Sequence, residues 1–397
     1  MTKALIRLFI KNPDDVNNGK VRESYGTLGS IVGICCNVLL SVAKFIAGFL
    51  TSSIAIMADA LNNLSDAGSS TVSLIGFRMA GRPADDDHPF GHGRAEYVSG
   101  LIVSMVIILM GFELGRNSIN KIIDPENSEL NLVSFIIMIV AILVKLWMFL
   151  FNTKLSKIIN SSTLKATAMD SISDVIATST VVISMVITYF SGFDVDAYAG
   201  VIVALFICYT GYKTAIDTLN PLLGQAPDEE FVKAIEKKVL SYPDIMGIHD
   251  MIVHNYGPNS CLISLHAEVP YNADILSVHD TIDLIERDVK NEFKCETVIH
   301  MDPIVTDDKV TNAMQEKIIA LVKLIDKRIN IHDFRMVEGR THTNLIFDIV
   351  VPHKFRLTDS EVMEAIETAV KTLDPTYNVV LTVDKAMICK YNKKDAQ

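Results

Sequence analysis

The sequence predicts a polytopic α-helical membrane domain of six transmembrane helices, followed by cytoplasmic α+β two-layer sandwiches, the sandwich being duplicated. Three observations predict it. Apolar residues make up 49% of the 397 residues and only 21% are charged, and the apolar surplus is concentrated in the first half. The composition changes sharply after Asn220-Pro221, from long apolar runs to short alternating ones. The stretch beyond that point then repeats itself: Ile248-His249-Asp250 is echoed by Ile331-His332-Asp333, and Val298 to Asp302 by Val380 to Asp384, offsets of 83 and 82 residues.

The elements follow in order. Residues 1–24 are polar and charged, without a separate short apolar core, and read as a cytoplasmic tail rather than a cleavable signal. Six stretches near 27–49, 51–77, 95–115, 131–151, 162–189 and 196–215 are long and apolar enough to cross a hydrocarbon layer of ~30 Å as helices. They define a membrane domain over 25–220. Lys3, Arg7, Lys11, Lys20 and Arg22 precede the first span. Arg78, Arg82 and Arg94 lie between the second and third, and Lys154, Lys157 and Lys165 between the fourth and fifth. By the positive-inside rule both termini face the cytoplasm, as in a multi-pass protein of a bacterial inner (plasma) membrane.

From 221 the pattern is helix, strand, strand, helix, strand: 228–240, 248–256, 260–269, 275–293 and 296–301. Phe231, Ile235 and Val239 share one face of the first helix. The αββαβ order predicts a ferredoxin-like sandwich over 221–306 with its helices on one side of the sheet. The repeat predicts a second copy, with a short tail, over 307–397. The six cysteines show no CxxC pair or regular framework, which suits a reducing compartment. A net charge of −11 argues against nucleic acid as a partner.

The chemistry lies in four polar side chains placed where lipid is expected. Asp59 and Asn63 stand i, i+4 in one apolar segment, and Asp170 and Asp174 stand i, i+4 in another. That spacing puts each pair on one helix face. A charge at mid-bilayer costs roughly 2.5–3.5 kcal/mol even on a lenient scale, so three carboxylates there require a compensating partner. A divalent cation is the simplest one. Ala, Ser and Gly around both pairs permit close helix approach. All ten histidines fall outside the six spans, so the membrane site offers oxygen only. Oxygen donors suit Mn²⁺ first and Fe²⁺ next, and Zn²⁺ also accepts carboxylates. Asp66, one turn beyond Asn63, either lines the route in or faces water.

Two further groups of candidate ligands lie outside the spans. In "ADDDHPFGHGRAE", Asp85, His88 and His92 can converge on a metal, the histidines being i, i+4. The alternative is an exposed polar loop shaped by Pro89 and its glycines. In the first sandwich, His249, His266, His279, His300 and Asp302 fall at strand ends and on the long helix, where they either assemble a metal site or stand as ordinary surface residues. The second copy keeps His332, but Asp348 and Thr382 replace the counterparts of His266 and His300. It reads as a weaker binder and an added dimer contact.

These residues together resemble the cation diffusion facilitator family: "DALNNLSD", "HPFGHGRAE", the DxxxD of the fifth span and "IHMDP" occur in the family's order over roughly 15–305. The resemblance implies a homodimeric, proton-coupled exporter of divalent metal, with Asp59, Asn63, Asp170 and Asp174 as the transport site. It also implies an interfacial loop site at Asp85, His88 and His92, and cytoplasmic sites at His249, His266, His279, His300 and Asp302. Asn with three Asp looks like the family's bacterial manganese exporters. Typical members lack a second copy of the sandwich.

Crowded carboxylates in a low dielectric resist ionisation together, so a cation arriving from the cytoplasm would expel protons. The exchange predicted is antiport by rocking of helix groups about a fixed site. The rival readings are a passive channel, a membrane-anchored metal sensor and an intramembrane hydrolase. The chain shows no re-entrant filter segment for the first, the second leaves the intramembrane acids unexplained, and the third has no substrate groove.

Overall fold

The computed structural model describes residues 2–16, 18–51, 54–124, 132–191, 195–258, 260–305, 308–352 and 355–385. They form two compact units, 1–225 with 255–260 and 226–254 with 261–397.

The first unit is a helical bundle. After α1 (Thr2–Phe9) come α2 (Gly19–Thr51), α3 (Ile54–Ala80), α4 (Ala95–Ile123), α5 (Leu132–Ile159), α6 (Ser162–Ser191) and α7 (Asp196–Leu223). Among the described residues, five helices are long and apolar enough to cross a membrane, drawn from α2, α4, α5, α6 and α7. The sixth predicted span, α3, falls short in hydropathy because its inward face is polar. Asn63, Asp66, Ser70 and Ser73 are buried on it, while Leu61, Leu64 and Ile75 are exposed. A steps of three and four residues keep those polar groups on one stripe. The helix is thus apolar towards its surroundings and polar within, the reverse of a water-soluble surface helix.

The tail holds more structure than its charge suggests. Ile6 and Ile10, one turn apart, are buried with Val21, Tyr25, Phe77, Phe151 and Leu155 at one end of the bundle. A buried ion pair holds the same region. The Arg22 guanidinium donates to Glu96 from Nη2 (2.9 Å) and Nε (3.2 Å), and the Ser161 hydroxyl donates to Glu96 Oε1 at 2.6 Å. This ties α2 and α4 to the turn between α5 and α6, where Asn160 adopts the left-handed conformation (φ 47°). Small residues let the helices approach: a Cβ on Gly100 would lie 2.8 Å from Thr163 Oγ1 and 3.2 Å from its Cα.

The second unit contains the αββαβ order twice: α8 (Glu229–Val239), β1 (Gly247–Gly257), β2 (Ser260–Pro270), α9 (Ile275–Phe293) and β3 (Cys295–Ile304), then α10 (Lys309–Ile325), β4 (Asn330–Glu338), β5 (Thr343–Val351), α11 (Asp359–Lys371) and β6 (Tyr377–Lys385). The sheets are ordered β1-β2-β3 and β4-β5-β6, with β2 and β3 parallel, β4 and β5 antiparallel, and β5 and β6 parallel. Helix starts are written locally. Asp228, Asp274, Asp308 and Thr358 each accept backbone N–H bonds as N-caps, and Thr358 with Glu361 closes a capping box. Each sheet carries its own core on the helix side: Ile235, Ile263, Leu265 and Ile285 in the first copy, Ile318, Phe347, Ile349 and Ile366 in the second.

Candidate metal centres

The bundle encloses a carboxylate cluster. Asp66 of α3 and Asp170 and Asp174 of α6 each offer an oxygen, all three within 4.8 Å of one another. The two helices also meet further along, where the buried Ser73 and Thr167 hydroxyls lie 3.3 Å apart. The ammonium of Lys145, on α5, is inserted between two of the acids, 2.7 Å from Asp66 Oδ2 and 2.5 Å from Asp174 Oδ2. Asp66 Oδ1 is buried and accepts no hydrogen bond. Beside the cluster, Lys44 of α2 donates to Asn63 Oδ1 at 2.5 Å and pairs with Asp59 Oδ2 at 2.7 Å. Asn63 Nδ2 is 3.4 Å from Asp66 Oδ2.

This arrangement brings together only part of the predicted quartet. Asp170 and Asp174 come together as their spacing requires, and Asn63 borders them. Asp59 does not join them: its side chain is 45% exposed and engaged by Lys44. Asp66 stands in its place. Seven residues of helix separate the two, a rise of about 10 Å along α3. Sequence reasoning also missed Lys44 and Lys145. The signal was available, because a lone lysine within an apolar run (Lys44 in "SVAKFIAG", Lys145 in "ILVKLWMF") is as costly in lipid as an acid and requires a partner.

In the loop between α3 and α4, Asp85, His88 and His92 converge. Asp85 oxygens lie 3.4 Å from His88 Nδ1 and 3.4 Å from His92 Nε2, with the two rings 4.5 Å apart. The His88 backbone N–H donates to Asp85 Oδ1 at 2.8 Å, holding the carboxyl below the usual carboxylate range. Such a set of two imidazoles and one carboxylate suits a borderline cation.

The first sandwich brings His249, His266 and Asp302 together, each offering a ligand atom within 4.8 Å of the others. Asp302 Oδ2 is 2.7 Å from His266 Nδ1 and 3.2 Å from His249 Nε2. His266 and His300 are register partners across β2 and β3, and His300 Nε2 reaches Asp302 Oδ1 at 3.3 Å from an exposed position. His279 is not brought in. Val278, Ile282 and Ile285 bury the sheet-facing side of α9, which turns the neighbouring His279 outward, with Asp283 Oδ2 at 3.9 Å as its acidic neighbour.

A helical bundle with a buried acid cluster, followed by sandwiches edged with histidine and aspartate, defines a multi-pass membrane protein equipped to handle cations. Comparison with known proteins agrees. Residues 30–223 match the family model described as the cation efflux transmembrane domain, and 227–304 the one described as the cation efflux protein, cytoplasmic domain. An uncharacterised transporter of Methanocaldococcus jannaschii is 33% identical over 264 residues, covering 66% of this chain and 92% of that protein. The cation-efflux pump FieF of Escherichia fergusonii is 28% identical over 288 residues (71% of this chain, 95% of the pump), and FieF of Cronobacter sakazakii is 26% identical over 287 residues, with the same coverage. The chain belongs to the cation diffusion facilitator family and is a cation efflux transporter rather than an enzyme. The second sandwich lies beyond both family matches, which end at residue 304.

Proposed function

We propose that this protein is a homodimeric antiporter that exports Mn²⁺ from the cytoplasm across the inner membrane in exchange for protons, with both termini cytoplasmic. The observation that carries this reading is the Asp66–Asp170–Asp174 cluster with Lys145 inside it. Three carboxylates and one ammonium sum to −2. One divalent cation neutralises that charge, and so do two protons. Alternating between those loads keeps the buried site neutral on both strokes, as a low-dielectric surrounding demands.

Lys145 serves as a tethered competitor. Its ammonium sits between Asp66 and Asp174 when no cation does, and shifts aside within the site, keeping its charge there, when one arrives. Asn63, held by Lys44, adds a neutral oxygen at the margin. An all-oxygen donor set favours Mn²⁺, and Fe²⁺ shares that chemistry. The charge run of the cytoplasmic connections, read by the positive-inside rule, supports the orientation. The match to the family's cytoplasmic domain supports the dimer. The loop site at Asp85, His88 and His92 and the cytoplasmic site at His249, His266, His300 and Asp302 collect the ion before or during transport, and binding there biases the rocking of the membrane helices.

Proteoliposomes with an imposed pH gradient test the proposal. Wild type should accumulate Mn²⁺ and move protons the other way. Asp174→Ala should abolish the flux, and His266→Ala should only lower it. Undiminished Mn²⁺ accumulation by the Asp174 variant, or accumulation indifferent to the pH gradient, would overturn it. Zn²⁺ flux exceeding Mn²⁺ flux would overturn the metal assignment alone.

A further inference from the structure

The second sandwich carries unclaimed chemistry of its own. Its His332, Asp348 and Asp384 occupy the positions of His249, His266 and Asp302 in the first copy, at the repeat offsets of 83, 82 and 82 residues. His332 and Asp348 are register partners across β4 and β5. His332, Asp333 and Asp348 each present a ligand atom within 4.8 Å of the others, and His332 Nε2 lies 3.5 Å from Asp384 Oδ2. The His332 side chain is only 8% exposed, yet neither of its ring nitrogens has a hydrogen-bond partner. A buried imidazole left unsatisfied costs free energy unless something occupies its lone pair.

The two copies also exchange acids. His249 and His332 stack with ring centroids 4.8 Å apart. The aspartate after each histidine adopts the left-handed conformation, Asp250 at φ 48° and Asp333 at φ 54°, which is uncommon for a residue with a side chain. Each carboxylate then lies beside both histidines, Asp250 Oδ2 being 3.4 Å from its own His249 Nδ1 and Asp333 clustering with its own His332. Asp250 Oδ1 lies 3.8 Å from His332 Nε2, and Asp333 Oδ1 lies 3.6 Å from His249 Nε2. Among the described residues, no lysine or arginine pairs with Asp250, Asp333, Asp348 or Asp384.

We propose that His332, Asp333 and Asp348, with Asp384 and the first copy's Asp250 beside the His332 ring, form a second cytoplasmic site for a divalent cation at the seam between the two sandwiches. One imidazole among several carboxylates makes this pocket harder than its twin at His249, His266 and Asp302. It therefore favours Mn²⁺ or Fe²⁺ over Zn²⁺. The duplicated sandwich is a metal-binding element in its own right, and the seam aspartates couple its site to the first.

The test counts ions and is independent of transport. Full-length protein in detergent, carrying Asp170→Asn and Asp174→Asn to silence the membrane site, is equilibrated with Mn²⁺ and its bound metal counted by elemental analysis and electron paramagnetic resonance. His332→Ala and Asp348→Asn should each lose one ion per chain and keep the ion that His266→Ala removes. His332→Asn, closer in size and polarity, replaces the alanine variant if that chain does not yield monodisperse protein. An unchanged ion count in the His332 and Asp348 variants overturns the proposal. So does loss of both cytoplasmic ions from Asp348→Asn, which would mean one shared site.

Discussion

Replacing Lys145 with Met removes the ammonium from the carboxylate cluster while nearly preserving side-chain volume. In the metal-free protein this leaves Asp66 and Asp174 without the cation that lies 2.7 and 2.5 Å from them. Breaking a buried ion pair from one side costs about 3–5 kcal/mol, so the thermal midpoint of the chelator-treated variant should fall. Metal binding should move in the opposite direction. In wild type an arriving Mn²⁺ must displace two hydrogen bonds to charged groups, each contributing about 1.5–3 kcal/mol. Removing that competition by the lower figure for both, about 3 kcal/mol, tightens the dissociation constant roughly a hundredfold. Proton uptake by the vacated carboxylates offsets part of the gain, so it should be largest at alkaline pH. Titration calorimetry of the detergent-solubilised protein at pH 8 measures the affinity. Vesicle uptake should show slower turnover despite tighter binding, because nothing remains to push the ion out. An unchanged or weaker affinity, with an unchanged metal-free midpoint, would refute the role given to Lys145.

Three other outcomes are expected. Asp66→Asn should reduce Mn²⁺ uptake roughly tenfold or more, a loss of at least about 1.4 kcal/mol, whereas Asp59→Asn, changing a half-exposed acid outside the cluster, should reduce it far less. Glu96→Ala leaves the Arg22 guanidinium buried without its carboxylate, and should cost about 3–5 kcal/mol, read as a lower detergent melting temperature. The third concerns pH. The Tyr242 hydroxyl, at 2.5 Å, and Lys238 hold the Asp288 carboxyl below its ordinary value. The folded protein therefore binds this proton less readily than the unfolded chain, and the resulting stability is present above about pH 4. It is lost as pH falls through the lower folded value. The melting difference between wild type and Asp288→Asn should accordingly be larger at pH 7 than at pH 3, and an equal difference at both would refute it.

Much of the second unit was legible because its signals are local. The boundaries 228–240, 248–256, 260–269 and 275–293 differ from the observed elements by a residue or so, since caps such as Asp228 and Asp274 and alternation such as Ile263-Leu265-Ala267 fix them within a few residues. The membrane site was legible only in part. Periodicity identified Asp170 and Asp174 as one face of a helix, but α3 carries Asp59, Asn63 and Asp66 close to a single stripe. Choosing among them requires knowing how far α3 slides along α6, and sequence spacing has no information on that register. The same gap hid the partners of Lys44 and Lys145, which lie on other helices.

By itself, the sequence determined the class of the molecule: apolar runs long enough to span lipid, acids too costly to leave there unpartnered, and a repeat whose histidines and aspartates recur in order. Those properties follow from the chemistry of short stretches of chain. Only the tertiary structure decided which acids share one centre, that an ammonium sits among them, and that His249 and His332 face each other with an aspartate crossing from each side. The reason is physical. A charge cluster is defined by distances of 3–5 Å between residues that lie up to about a hundred positions apart in the chain, and those distances are set by helix register and sheet pairing rather than by any local preference.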